Sequence, residues 1–279
     1  MTLRFATLLL GLCCLAFPAR AELVLGVHPF KPATQLTAAF APLAAYLSGA
    51  LGQPVTLRVS RDYPEHVEAV GRGEFDIAYL GPSLYVKLRE AYGPQSLLAR
   101  QQIGNAPVFR SRIFVRADSP VKTLADLAGK RFAFGSKNST MGHYVPRHML
   151  QQADITVERL AGHNFVSDHV NVALGVLAGE FDAGAVKEDV YFQYEKRGLR
   201  AIATSEDFSD HLLVAGPRLS AAQVARLRQA LLRMHATPGG RAALQAMTPG
   251  VTALVPVRDG DYDNLRAVLK ALREMGVRE

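Results

Sequence analysis

Apolar and polar positions follow two rhythms along this chain, one of period two and one of helical spacing. Leu23 to Val27 is a short apolar run that suits a buried strand. Pro29 to Pro32 separates it from Leu36 to Leu47, whose apolar residues recur at helical spacing. Gly52-Gln53-Pro54 turns the chain into Val55 to Val59, an alternating strand, followed by a helix over Tyr63 to Val70 and a strand over Asp76 to Leu80. After Gly81-Pro82, Ser83 stands as the cap of a helix over Leu84 to Ala91. Repeated strand-helix units favour a parallel sheet.

Ile113 to Arg116 is a further apolar strand, and Arg131 to Phe134 restarts the rhythm after Gly129. Thr140 to Gln151, Val157 to Leu160, His169 to Leu177 and Asp182 to Val186 then read as helix, strand, helix and strand. Pro146 limits the first of these helices, because a proline past the first turn removes a hydrogen bond and kinks or delays the helix. Leu199 to Ala203 adds a strand, and Leu212 to Ala215 is an apolar run back toward the first lobe. Ala221 to Met234, Arg241 to Met247 and Asp261 to Met275 are amphipathic, with Asp261 placed as a cap. No internal repeat or low-complexity linker is visible. The pattern describes an α/β protein of two lobes, lobe 1 over residues 22–113 and 216–279 and lobe 2 over residues 114–215. The alternative is one continuous doubly wound sheet. Either way, ligands belong at the carboxyl ends of the strands, where helix amino termini collect.

The first 21 residues follow neither rhythm. Arg4 precedes an apolar run from Phe5 to Phe17, and Pro18 with Ala19-Arg20-Ala21 completes the three regions of a cleaved export signal. The run is shorter than the roughly 20 residues that span a bilayer. A lipid anchor at Cys13 or Cys14 is the weaker reading, since Leu12 stands where such processing wants a small residue. Cleavage after Ala21 leaves a chain without cysteine, so disulfides and thiol chemistry are excluded from the exported protein. Loss of Arg4 and Arg20 lowers the formal charge from +7 to +5. The basic residues are scattered, and no run of them marks a nucleic-acid groove.

Gly135-Ser136-Lys137-Asn138-Ser139-Thr140-Met141-Gly142-His143 follows a strand and opens a helix, so it presents backbone N–H groups and hydroxyls at the positive end of a helix dipole. It is not a Walker loop, because the lysine precedes the hydroxyl residues. An isolated Ser-Thr pair is more often a helix cap than an anion site. Asn164 to His169 repeats the arrangement one unit later, with Ser167, Asp168 and His169 before a helix. His143, His148, His163 and His169 lie in one stretch, yet spacings of five and six residues do not put two metal ligands on one helix face. Ser139, His143 and Asp168 allow a hydrolase reading, which lacks a nucleophile-elbow pattern. Tyr63, at a strand-to-helix junction, is a candidate phenolic donor.

Taken in order, these pieces resemble the phosphate/phosphite/phosphonate-binding family of periplasmic solute receptors for ABC importers. The resemblance runs through Asp62-Tyr63, Glu74 to Pro82, Asp118-Ser119-Pro120 and Ser139 to Pro146, and in the spacing of His169 to Asp182-Ala183-Gly184-Ala185. It implies a type II periplasmic-binding fold, each lobe a mostly parallel sheet flanked by helices, with the ligand cleft between the lobes. It implies Ser139 and Thr140, with the amides of Met141, Gly142 and His143 behind them, as donors to a small oxyanion, joined by Tyr63 and His169. Asp189 matches an acidic residue that meets a substrate amine in some relatives, and Asp182 matches the family turn. Three departures stand out: Met141 replaces a serine, Phe109 replaces an aromatic that is often tyrosine, and Ser205 to Leu212 lacks the usual prolines and has Asp207, Asp210 and His211 instead. The resemblance also implies a monomer in the periplasm that needs no cofactor, catalyses nothing and serves an inner-membrane permease. The alternative partner is a sensor kinase ectodomain.

Overall fold

Strand β1 (Leu23–Val27) is followed by α1 (Ala33–Leu51), whose buried residues Leu36, Phe40, Leu43, Leu47 and Leu51 form one stripe. Gly52 ends that helix in the left-handed region, at φ 62°. Then come β2 (Val55–Val59), α2 (Tyr63–Gly71), β3 (Ile77–Leu80), α3 (Pro82–Tyr92) and β4 (Ser96–Ile103). The chain crosses out through β5 (Val108–Phe109) into β6 (Ser111–Arg116) and β7 (Arg131–Phe134). Helix α4 (Val145–Gln152), β8 (Gly162–Phe165), α5 (His169–Leu177), β9 (Ala183–Lys187), α6 (Glu188–Glu195) and β10 (Leu199–Thr204) complete the second unit. The chain returns through β11 (Phe208–Ser209) to β12 (Leu212–Ala215), then α7 (Ala221–Leu232), α8 (Pro238–Met247), β13 (Val251–Val255) and α9 (Asp263–Glu274). This computed structural model describes residues 22–277, so the expected export signal and both cysteines lie outside the described residues.

The strands form two sheets with the same internal order. The first runs β13-β4-β12-β3-β1-β2 and the second β10-β6-β9-β7-β8. In the first, β1 is parallel to β2 and β3, while β12 lies antiparallel between β3 and β4. In the second, β7 is parallel to β8 and β9, while β6 lies antiparallel between β9 and β10. The antiparallel strand in each case is the one fed by a crossing segment, and the short ladder of β5 with β11 joins the two crossings. The two halves therefore repeat a strand order that their residues do not display as a sequence repeat.

This topology moves both lobe boundaries. β6 belongs to the second sheet, so Ile113 lies in lobe 2 rather than closing lobe 1, and β12 returns to the first sheet before residue 215. Other expectations shift as well. Val157 to Leu160 is a single 3-10 turn over Val157–Arg159, and the strand is β8, which pairs with β7 from Arg131↔Gly162 to Phe134↔Phe165. Asp261 is not the cap of α9. It sits in the 3-10 turn before α9 and accepts from the Arg258 N–H. Ser83 is the second residue of α3, not its cap. β4, α6 and β13 were not anticipated. β4 hides because Gln101 is buried mid-strand, where it accepts the Tyr79 hydroxyl at 2.5 Å, and Arg100 pairs with Asp261.

One apolar core fills lobe 1 and takes in Met141, Tyr144 and Val145 from lobe 2, so the lobes are closed on each other. Two further clusters cover the faces of the second sheet. No helix among the described residues is long and apolar enough to cross a membrane.

Candidate ligand-binding site

A cavity of about 20 Å³, room for roughly one water, lies between the lobes. Lobe 1 lines it with His28, Phe30, Tyr63, Gly81 and Ser83, and lobe 2 with Ser139, Thr140, Met141, His169 and Lys187. Phe109 and His211 come from the two crossing segments. The placement follows from topology: His28, Tyr63 and Gly81 follow β1, β2 and β3, His169 follows β8, and Lys187 ends β9.

The segment opening α4 is not a plain helix start. His143 N–H and Tyr144 N–H both donate to Ser139 O at 3.1 Å, and Val145 N–H reaches back to Thr140 O, which widens the turn into a π bulge. Pro146 explains the bulge. Having no N–H, it leaves the carbonyls of Met141 and Gly142 without a helical donor, and these are taken by the Ser111 hydroxyl at 2.8 Å and the Gly135 N–H at 2.9 Å. The Ser139 hydroxyl caps this turn by accepting from Gly142 N–H at 3.0 Å. Thr140 reaches across the lobes instead. Its hydroxyl accepts from Ser83 N–H and donates to Ser83 Oγ, both at 3.0 Å, while Ser83 Oγ donates to Asn138 O at 2.7 Å. A first-turn N–H of α3 is thus capped in trans by the other lobe.

His169 is buried beside Lys187. Its Nδ1 accepts from Lys187 N–H at 3.4 Å, which leaves the proton on Nε2 as a donor. Burial first, and the neighbouring Lys187 second, push its pKa down to about 3, so the ring is neutral. Tyr63, the first residue of α2, packs edge-on against His28, and no hydrogen bond to its hydroxyl occurs among the described residues. Burial and the charge of Asp168 raise its pKa. Lys187 Nζ pairs with Asp189 at 3.0 Å and sits 5.5 Å from the Phe30 ring centre. Burial works against the charge of Asp189, but the Lys187 ammonium beside it holds the carboxyl below its ordinary value.

The structure therefore gathers Tyr63, Phe109, Ser139, Thr140, Met141 and His169 around one cavity, with Asp189 one ion pair away. Three expected residues stand elsewhere. His143 turns its Nδ1 to Lys137 O at 2.7 Å and packs between Phe134 and Phe165, because the wide turn carries it to the outer side. Gly142 is packing: a Cβ there would meet Ser139 Oγ at 3.0 Å and His169 Cε1 at 3.1 Å. Asp182 sits at the start of β9, where it accepts from Arg131 N–H at 2.7 Å and pairs with the Arg131 guanidinium. Its place is structural. Asp168 caps α5, so Ser139, His143 and Asp168 form no hydrogen-bonded triad. Among the described residues, no three His, Cys, Asp or Glu side chains gather into a metal-holding group.

Sequence reasoning missed His28, Phe30 and Lys187, and marked His211 only as a departure from the family's pattern. The usable signal was position, since each of the first three ends or follows a strand that points at the cleft.

A family model described as the ABC transporter, phosphonate, periplasmic substrate-binding protein matches residues 25–262. The chain belongs to this family. It is 29% identical over 174 residues to the phosphate-import protein PhnD of Mycolicibacterium smegmatis, an alignment covering 58% of this chain and 54% of that protein. It is 34% identical over 86 residues to a probable ABC transporter phosphite binding protein, PhnD1 of Prochlorococcus marinus, covering 30% and 29%. The matches thus span about half the length, or less, of these curated relatives. The fold superposes on the structure of PhnD1 from Prochlorococcus marinus in complex with methylphosphonate, with a TM-score of 0.83 at 21% identity over 92% of this chain and 99% of that one. A binding protein component of an ABC phosphonate transporter from Pseudomonas aeruginosa gives 0.80 at 19% identity, over 93% and 89%. These likenesses identify the fold as that of the type II periplasmic receptors.

Proposed function

We propose that this protein is the periplasmic receptor of an ABC importer and captures a small phosphonate or phosphite by closing its two lobes on it. The observation that carries the reading is the cavity itself. Donors from both lobes converge there with apolar walls, the donors being Tyr63, Ser139, Thr140, His169 and Lys187 and the walls Phe30, Phe109 and Met141. A ligand that touches both lobes favours the closed form by its differential contacts. Ser139, Thr140, Tyr63 and His169 hold the oxygens, and Lys187 supplies the opposite charge. Phe109 and Met141, where relatives carry hydroxyls, face a hydrogen or methyl substituent. An amino group would have to compete with Lys187 for Asp189.

The relatives support the ligand class: a phosphite-binding name attaches to one, and methylphosphonate occupies the superposed structure. The chain acts as a monomer after export and removal of its first 21 residues, and it delivers its ligand to an inner-membrane permease. No reaction is required of it, consistent with Ser139, His143 and Asp168 being engaged apart from one another.

A thermal-shift screen against phosphite, methylphosphonate, phosphate, aminoethylphosphonate and sulfate tests this reading. Ligand at a thousand times its dissociation constant adds about 4 kcal/mol, a rise of several degrees for a chain of this size. Methylphosphonate or phosphite should give the largest rise and aminoethylphosphonate a small one. No rise with any phosphorus oxyanion would overturn the proposal.

A further inference from the structure

The cavity presents acceptors as well as donors, which a site for a fully ionised oxyanion does not need. His28 is 1% exposed, and its Nδ1 lies 3.2 Å from Tyr79 O, a carbonyl that can only accept. The proton is therefore on Nδ1, and Nε2 is a bare lone pair. His211 is likewise held by its Nδ1. This nitrogen donates to Asp210 Oδ1 at 2.8 Å, which turns the Nε2 toward the cavity. The two rings stack 5.5 Å apart at 17°. Both Nε2 atoms converge on one place beside Gly81, 3.4 and 3.5 Å from where a side chain would begin there. Neither nitrogen has a hydrogen-bond partner among the described residues. Gly81 thus leaves open the one spot where a ligand atom meets both.

We propose that His28, seconded by His211, selects oxyanions that carry a proton on one oxygen, so that the ligand is the singly charged, hydroxyl-bearing form of a phosphonate or phosphite. The inference rests on the receptor reading above and deepens it. A P–OH pointed at this wall completes a hydrogen bond, whereas a sulfonate or a phosphonate dianion sets its lone pairs against that of His28. The groups facing His28 do not supply a substitute proton. His66 gives its Nε2 proton to the same Tyr79 carbonyl at 3.1 Å, and Tyr79 gives its hydroxyl to Gln101. Tyr63 packs edge-on, and Lys187 across the cavity is paired with Asp189. Burial, then the His211 and His66 rings, hold His28 well below the ordinary imidazole value, so it remains an acceptor at neutral pH.

Methylphosphonate and methanesulfonate separate the alternatives, because at one negative charge they share shape and differ by the hydroxyl proton. Isothermal titration calorimetry of the protein from pH 6 to 8.5 should show methylphosphonate bound on the order of a hundredfold or more tighter than methanesulfonate at pH 6. Above the ligand's second ionisation, its affinity should fall about tenfold per pH unit. Methanesulfonate does not titrate in this range, so its profile reports any contribution from His211, Asp210 or the other protein groups. His28→Leu should weaken methylphosphonate and tighten methanesulfonate, collapsing the ratio. Tyr79 O keeps His66 as its donor in that variant, and His211→Asn gives a second, milder removal of the same wall. Equal affinity for the two ligands, or a methylphosphonate affinity that does not change with pH, would overturn the inference while leaving the receptor standing. Binding of neither ligand, nor of phosphite, at any pH would overturn the receptor reading, and this inference with it.

Discussion

Tyr63 and the buried histidines carry the clearest consequences at the scale of single residues. Tyr63 offers a buried hydroxyl to the cavity, so Tyr63→Phe should weaken methylphosphonate binding by about 1 to 3 kcal/mol without altering the fold. Calorimetry checks this, and unchanged affinity would remove Tyr63 from the site. His66 and His169 are pushed down to about 3, and His143 to about 4, in each case chiefly by burial. The unfolded chain takes up protons at these positions below about 6.5, while the folded chain does not until near those lower values. Stability is therefore fully present above pH 6.5 and is lost on acidification from about 6.5 toward 3. Each of these histidines contributes a slope of up to about 1.4 kcal/mol per pH unit. The urea midpoint should drop between pH 7 and 5, and a flat profile would contradict the neutral, buried assignment. The histidines also show how little of their role was legible. His169 was found from its place before a helix, but His28 has no local pattern: its role comes from the Tyr79 carbonyl far away in the chain, and His211, though held by the adjacent Asp210, is brought beside it only by the fold.

The turn from Ser139 to Tyr144 is the element on which the site depends. Its sequence displayed the hydroxyls, the glycine and the troublesome Pro146, but not the remedy, because the groups that answer the freed carbonyls are Ser111 on β6 and the Gly135 amide. Ser111→Ala leaves Met141 O buried without its donor. It should cost about 1 to 3 kcal/mol of stability and weaken ligand binding, since Met141 forms one wall of the cavity. Thermal melts with and without methylphosphonate read both effects. Gly142→Ala adds a Cβ against Ser139 Oγ and His169 Cε1 and should weaken binding more than it lowers the melting point. The opposite ranking would make Gly142 a fold residue rather than a spacer of the site. β8 illustrates a related limit at this scale. Val157 to Leu160, apolar at both ends, reads as a strand better than Gly162 to Phe165 does, yet pairing with β7 chose the latter.

At the scale of the whole molecule, closure is held by polar contacts between the lobes. Ser83 bonds Thr140 and Asn138, and Lys87 donates to Asn138 Oδ1 at 2.8 Å and to the Tyr144 hydroxyl at 2.7 Å. The crossing segments are braced by Arg110 with Asp207 and by Arg100 with the Ser209 hydroxyl. Ser83→Ala removes both hydroxyl contacts without touching the cavity's charge. Apparent affinity scales with the fraction of closed molecules, so the variant should bind methylphosphonate several-fold more weakly. Its ligand-free radius of gyration in X-ray scattering should rise and return to the wild-type value at saturation. Identical scattering of variant and wild type would show that these contacts do not govern closure.

What the sequence determined by itself was local. Strand and helix alternation and the helix starts at Tyr63, Ser139 and His169 follow from periodicity and capping within a few residues, whereas the choice of two lobes over one continuous sheet does not. Tertiary structure decided where one lobe ends and the next begins, since membership of β6 and β12 depends on which strands they pair with. It also decided which side chains face the cleft. Lys187 and Asp189 pair with each other, Thr140 caps the opposite lobe, and His143 and Asp182 turn to carbonyl and guanidinium partners outside the cavity. The reason is geometric: a hydrogen bond or lone pair takes its role from what stands opposite, and the fold sets that, by bringing Ser83 of the other lobe to Thr140 and Arg131 of another strand to Asp182, and by the wide turn that faces His143 to Lys137.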